Sequence, residues 1–231
     1  MKTLGVVGGI APESTVDYYR RIIAQYRART ADGSYPPIVI TSMDMQRMLG
    51  LIDARKFLEL TEYLLNEIIR LANADADVGL LASNTPHLVF DAIRERSPIP
   101  LVSIVEAPCD NAKSLGIGRI GLLGTRFTMQ ARFYPEVFAR QGISVIVPNA
   151  CEQDYIHDRY MSELVHGVYR PKTRQRLLEI VGRLEQRENI EGVILGGTEL
   201  PLLLRNGAEI EIPLLDTTEL HTRKAIDAIF A

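Results

Sequence analysis

Leu4-Gly5-Val6-Val7-Gly8, an apolar run closed by glycine, returns 116 positions later as Ile120-Gly121-Leu122-Leu123-Gly124, and the same shift carries Tyr18 onto Tyr134. A shift of 113 places Gly79-Leu80-Leu81 on Gly192-Val193-Ile194, Thr85 on Thr198, and Ile99-Pro100-Leu101 on Ile212-Pro213-Leu214. A period of this length is too long for a solenoid. It describes two equivalent halves, each with a Gly-rich loop after its first strand and a Thr-containing loop after its third.

Outward from these runs, short apolar segments bounded by Gly, Pro or Asn alternate with stretches of helical period, the pattern of parallel strands joined by crossover helices. Strands are expected at Leu4–Val7, Ile38–Met43, Val78–Ala82, Leu101–Ile104, Ile120–Leu123, Ser144–Val147, Val193–Leu195 and Leu214–Leu215. The best-marked helix is Ala54–Ala72, where Phe57, Leu58, Leu60, Leu64, Leu65, Ile68, Ile69 and Leu71 form one stripe. The fold class is α/β, with two pseudo-symmetric flavodoxin-like parallel-sheet halves and the ligand cleft expected between them. Residues 1–105 with a C-terminal helix over about 216–231 make the first half, and residues 106–215 the second. Ligands of open parallel sheets sit beyond the carboxyl ends of the strands. The loops after Val7, Ala82, Leu123 and Leu195 are therefore expected to converge on one site.

The chain has 231 residues, 46% hydrophobic and 24% charged, an ordinary globular composition that excludes disordered, collagenous and coiled-coil classes. At this length about 70% of the unfolded surface can be buried without a staple. Twenty-six Lys and Arg against 29 Asp and Glu leave a net charge of -3, without the basic excess that a nucleic-acid partner requires. Cys109 and Cys151 make no disulfide framework and no metal-ligand spacing, so no metal is expected and a reducing, cytoplasmic setting fits. The first apolar run breaks at Gly8-Gly9, short of a signal pattern, and no run of 18 apolar residues offers a membrane span.

Gly8-Gly9-Ile10-Ala11-Pro12-Glu13-Ser14-Thr15 reads as a strand-to-helix turn with Ser14 or Thr15 as helix N-cap and backbone N–H groups, Gly9 among them, free to cradle an anion. A formal G-x-G-x-x-G at Gly116, Gly118 and Gly121 precedes a strand instead of following one, so it is not a dinucleotide fingerprint. In Ala82-Ser83-Asn84-Thr85-Pro86-His87, small residues allow close backbone approach, Asn84 and Thr85 can donate to a carboxylate, and Pro86 suits a first helical position. Gly196-Gly197-Thr198-Glu199 is its partner in the second half. Two such loops at repeat-related positions favour a shared ligand site over two ordinary capped turns.

With these motifs in place, the chain resembles the cofactor-independent aspartate/glutamate racemase superfamily over essentially its whole length. The opening Gly-Gly-x-x-Pro loop, Asn84-Thr85-x-His87, Gly121-Leu122-Leu123-Gly124-Thr125 and Gly197-Thr198-Glu199 carry the likeness. The resemblance implies two pseudo-symmetric α/β domains, a homodimer, a small-molecule carboxylate or amino-acid ligand, and inversion at the α-carbon of an acidic amino acid by two cysteines, one removing and one supplying a proton. The family's cysteine positions fall on Ser83 and Gly197, so both thiols are missing. A serine hydroxyl is a poor base without a partner to take its proton, and glycine has no side chain. Two-thiol racemisation is therefore not possible for this sequence, and Cys109 and Cys151 fill neither vacancy.

The remaining titratable candidates are His87, Glu199, Asp44 and His221. His87 and Glu199 are possible substitutes as acid and base, although orienting the loops suits them better, since a helix carries residue i+4 about 6 Å along its axis. By the resemblance, Arg47 binds the substrate's side-chain carboxylate; Gly9, Asn84, Thr85, Thr125 and Thr198 complete the expected binding set. Arg126 offers a further anion contact, and Tyr155, His157 and Arg159 form a polar cluster that either closes over the site or faces solvent. The expected function is that of an amino-acid racemase homologue binding an acidic amino acid or related carboxylate. A lyase or decarboxylase on the same scaffold and a non-catalytic carboxylate-binding protein are the alternatives.

Overall fold

The computed structural model describes residues 1–204 and 210–231. It divides into two compact units, one formed by Met1–Ile104 with His221–Ala231 and the other by Val105–Leu220.

In the first unit, β1 (Leu4–Gly8), β2 (Ile38–Ser42), β3 (Val78–Leu81) and β4 (Leu101–Val102) form an all-parallel sheet in the order β2-β1-β3-β4. The register pairs Val7 with Thr41 on one side and Leu81 on the other. Helices α1 (Pro12–Thr30), α2 (Met45–Asp53), α3 (Phe57–Asn73) and α4 (Phe90–Arg96) connect the strands. β1 and β3 are buried along their whole length, as central strands covered on both faces must be. Tyr18 of α1 and Leu60, Leu64, Ile68 and Leu71 of α3 are fully buried.

The second unit repeats the plan. α5 (Glu106–Ser114) leads into β5 (Arg119–Gly124), which is followed by β6 (Ser144–Ile146), β7 (Val193–Gly196) and β8 (Leu214–Asp216), all parallel in the order β6-β5-β7-β8. Between them run α6 (Arg126–Gln130), α7 (Phe133–Ala139), α8 (Ala150–Ser162), α9 (Pro171–Glu188) and α10 (Leu200–Leu204), and α11 (Thr217–Phe230) closes the chain. Leu123 pairs with Leu195, as Val7 does with Leu81. Tyr134 of α7 is buried as completely as its repeat mate Tyr18. Its core gathers Leu123, Ile156, Leu177, Ile180, Val193 and Leu195.

All eight expected strands are present, with ends shifted by one or two residues. The helix expected over Ala54–Ala72 is α3, which starts three residues later at Phe57 because a separate helix, α2, precedes it. Asp44 caps α2, its carboxylate accepting from the Gln46 N–H at 2.8 Å and the Arg47 N–H at 3.4 Å, which starts a helix well before Ala54. Arg55, with φ of 54°, then ends it, and α3 starts afresh at Phe57. The apolar stripe is only partly buried: Leu58 and Phe57 lie exposed while Leu60, Leu64 and Leu65 are buried. Neither Ser14 nor Thr15 is the N-cap of α1. Pro12, which has no N–H to satisfy, takes the first turn and leaves Ala11 as the cap, so both hydroxyls fall inside the helix. Among the described residues, no helix is long and apolar enough to cross a membrane.

Candidate functional site

In the first unit, three strand ends carry the expected residues. After β1, Gly9 adopts φ of +84°, and a Cβ there would lie 2.4 Å from the Met43 carbonyl oxygen, so only glycine lets this loop pass the end of β2. The Gly9 N–H donates to Thr15 Oγ1 at 2.9 Å; it is spent inside the loop. Ser14 Oγ lies 3.0 Å from the Ala11 carbonyl and 3.3 Å from that of Ala82, which ties the start of α1 to the end of β3.

Beyond β3, Ser83, Asn84 and Thr85 are all buried and lead into a 3-10 turn over Thr85–Val89. His87, on that turn, accepts the Ile104 N–H at Nε2 (3.2 Å) and stacks on Phe90 with ring centroids 4.3 Å apart. An Nε2 acting as acceptor places the imidazole proton on Nδ1. Burial holds this imidazole well below the usual histidine range, with the charges of His221 and Arg94 adding to it. His87 therefore stands as a neutral ring bracing the β3 turn against the end of β4. At the end of β2, the exposed Arg47 lays its guanidinium over the Tyr63 ring, 4.3 Å from the centroid, and the Tyr63 hydroxyl accepts the Asp44 N–H at 3.0 Å. Asp44 is thereby a helix cap. His221 is held between the Tyr18 hydroxyl and the Val102 carbonyl.

In the second unit, Thr125 caps α6 by accepting the Thr128 N–H at 3.3 Å, and its hydroxyl lies 3.1 Å from that of Thr128. The Arg126 guanidinium pairs with Asp154 at 2.9 Å and its backbone N–H donates to His157 Nδ1 at 3.3 Å. Tyr155 and Arg159 face each other in a cation–π contact, and Arg159 pairs with Glu163 at 2.9 Å. The expected polar cluster is thus engaged along α8. Beyond β7, Thr198 Oγ1 donates to Glu199 Oε2 at 2.9 Å and the Tyr160 hydroxyl donates to the same oxygen. Burial, reinforced by the Glu199 charge, pushes the Tyr160 phenol well above its ordinary range.

Neither cysteine stands at a strand-end loop: Cys109 is buried in α5, with Sγ 3.9 Å from the Val137 carbonyl, and Cys151 is exposed in the first turn of α8. Among the described residues, no three His, Cys, Asp or Glu side chains group as a metal site. Sequence reading passed over Tyr63 and Tyr160. Tyr160 shares the i, i+4 spacing of Ile156 and Leu164, both buried, so it reads as one more core position.

Residues 7–225 match the model of the Asp/Glu/Hydantoin racemase family. Among solved structures, a candidate Asp/Glu racemase from Yersinia pestis is 32% identical with a TM-score of 0.91, and an aspartate racemase homologue from Pyrococcus horikoshii OT3 is 33% identical with a TM-score of 0.86; in each case the match covers 100% of both chains. The broad specificity amino-acid racemase RacX of Bacillus subtilis is 21% identical over 234 residues, covering 99% of this chain and 98% of its own. Two repeat-related parallel sheets and a family match running from the first Gly-rich loop into the last helix lead to one assignment: the chain belongs to the Asp/Glu/Hydantoin racemase family.

Proposed function

We propose that this chain binds an acidic amino acid or a closely related dicarboxylate and carries out cofactor-independent proton chemistry beside the bound carboxylate. One observation carries the reading. Ser83, Asn84 and Thr85 after β3, Thr125 after β5, and Thr198 and Glu199 after β7 are all buried polar side chains at the carboxyl ends of parallel strands. Polar groups are costly to bury, and strand ends of this kind are where α/β folds take their ligands. Arg47 supplies the charge for a side-chain carboxylate, and its contact with Tyr63 preorganises it.

Racemisation by two thiols is not the chemistry proposed, because positions 83 and 197 hold serine and glycine. A lyase or decarboxylase acting through an enediolate and needing one protonating group is a second form of the reading, and a homologue that only binds is a third. The exposed Phe57 and Leu58 support a homodimer, two-fold assembly being the commonest way to cover such residues.

Calorimetry with L- and D-aspartate, L- and D-glutamate and succinate tests the binding, and NMR in deuterated water tests the chemistry. Binding with loss of CO2 or ammonia supports the lyase form, deuterium entry at the α-carbon with inversion supports an isomerase, and binding alone leaves a carboxylate receptor. If none of the five ligands binds, the reading is wrong.

A further inference from the structure

The space above the Gly197 α-carbon is already taken. A Cβ built there would lie 2.4 Å from Tyr160 Cε2, 2.8 Å from the phenolic oxygen and 2.9 Å from Cζ. The ring and its hydroxyl thus occupy the space that a side chain at position 197 would need. That hydroxyl donates to Glu199 Oε2, which also accepts from Thr198 Oγ1. Tyr160 is 5% exposed and Glu199 1%. A carboxylate buried with hydroxyl partners is a poor device for stability, since apolar packing of the same volume does as well or better. Its place at the end of β7 gives it another use.

We propose that Tyr160 is the proton donor of the second unit, serving a carbanion or enediolate formed beside a bound carboxylate, with Glu199 and Thr198 positioning its hydroxyl. This deepens the proposed function and rests on it. In the step, the phenolic O–H bond breaks and the proton joins the carbanion's electron pair to form a C–H bond. The O–H electron pair stays on the phenolate oxygen, which recovers a proton from water and leaves hydroxide. Burial and the Glu199 charge keep the phenol protonated throughout the neutral range, so the proton is in place when the carbanion forms. The bond to Glu199 holds the hydroxyl in place until the ligand is bound, and donation to the carbanion then requires the hydroxyl hydrogen to rotate from the carboxylate to the ligand.

The probe is the nitronate anion of 3-nitropropionate, a preformed carbanion bearing one carboxylate, whose protonation at carbon is followed by loss of ultraviolet absorbance. The parent should accelerate that loss. Tyr160→Phe, which keeps the ring over Gly197, should reduce kcat at least about a hundredfold, the worth of a positioned proton donor, with the dissociation constant for the nitronate and the unfolding midpoint little changed. Glu199→Gln keeps an acceptor and should lower kcat about tenfold at unchanged KM, a split that a purely structural role would not produce. Independently of turnover, Gly197→Ala should lower the unfolding midpoint of the parent but not that of Tyr160→Ala. A parent that binds the nitronate without accelerating its protonation overturns the proposal alone, as does Tyr160→Phe turning over at the parental rate, or Gly197→Ala acting equally in both backgrounds. A parent that binds neither the nitronate nor any acidic amino acid brings down the proposed function and the proposal together.

Discussion

Tyr18 and His221, 203 positions apart, share a hydrogen bond of 2.8 Å between the phenolic oxygen and Nδ1, while the other ring nitrogen of His221 lies 2.9 Å from the Val102 carbonyl oxygen. One neutral imidazole thus joins α1, β4 and α11, donating to the carbonyl and accepting from the phenol. A proton added to the ring would have to displace the tyrosine's.

Acid should expose this arrangement. Burial pushes the His221 pKa from 6.5 down to about 4, so its neutral form is favoured by folding. That contribution is complete above pH 6.5, shrinks as pH falls through the window from 6.5 to about 4, and amounts to about 3 kcal/mol at full size. His87, depressed by the same cause, adds in the same direction. Urea unfolding across that window should show stability falling with pH, and His221→Gln should flatten the profile. An unchanged profile in the variant would clear His221.

Arg47→Ala should weaken binding of aspartate, glutamate and succinate by about 1.5 to 3 kcal/mol, the worth of a charge-assisted hydrogen bond. Because Arg47 is exposed, the unfolding midpoint should hardly move. Calorimetry showing equal losses for aspartate and alanine would place Arg47 outside the site.

Gly9→Ala meets two obstacles at once, the positive φ and the Met43 carbonyl 2.4 Å from the added carbon. A cost on the order of 3 kcal/mol is expected, whereas Gly33→Ala, also at positive φ but with nothing within 4 Å, should cost about 1 kcal/mol. Thermal unfolding of the two side by side checks the ranking, which fails if they shift alike.

Thr125 has two duties that can be separated. As the cap of α6, its replacement by alanine should cost about 1 kcal/mol of stability, and Thr125→Ser should restore it. If the hydroxyl also meets the ligand, the serine variant should restore affinity as well. Affinity indifferent to both changes would leave Thr125 as a cap only.

The strands were legible because central parallel strands must be apolar on both faces, so Leu4–Gly8, Val78–Leu81 and Arg119–Gly124 announce themselves, and the repeat set their order. α2 was harder to see: Met45, Met48, Leu49 and Ile52 recur at helical spacing but over only nine residues, and its start depends on the Asp44 carboxylate reaching the Gln46 and Arg47 N–H groups. The roles of His87 and Tyr160 were out of reach for another reason. Each depends on a partner distant in the chain, Ile104 for one and Gly197 with Glu199 for the other. A glycine in a sequence records only that its side chain is missing; what fills the space belongs to the tertiary structure.

The first unit is built from both ends of the chain, Met1–Ile104 and His221–Ala231, whereas the second is one continuous stretch. The second unit can therefore form from one contiguous stretch, while the first needs a segment that follows the whole of the second. While Val105–Leu220 is emerging, Tyr18 and the Val102 carbonyl have no imidazole to meet, and the earliest-made residues wait longest for their last contacts. Domains usually settle in the order of synthesis; here the first-made sheet gains its last contact only when His221 arrives, across a long loop whose closure the second unit does not share.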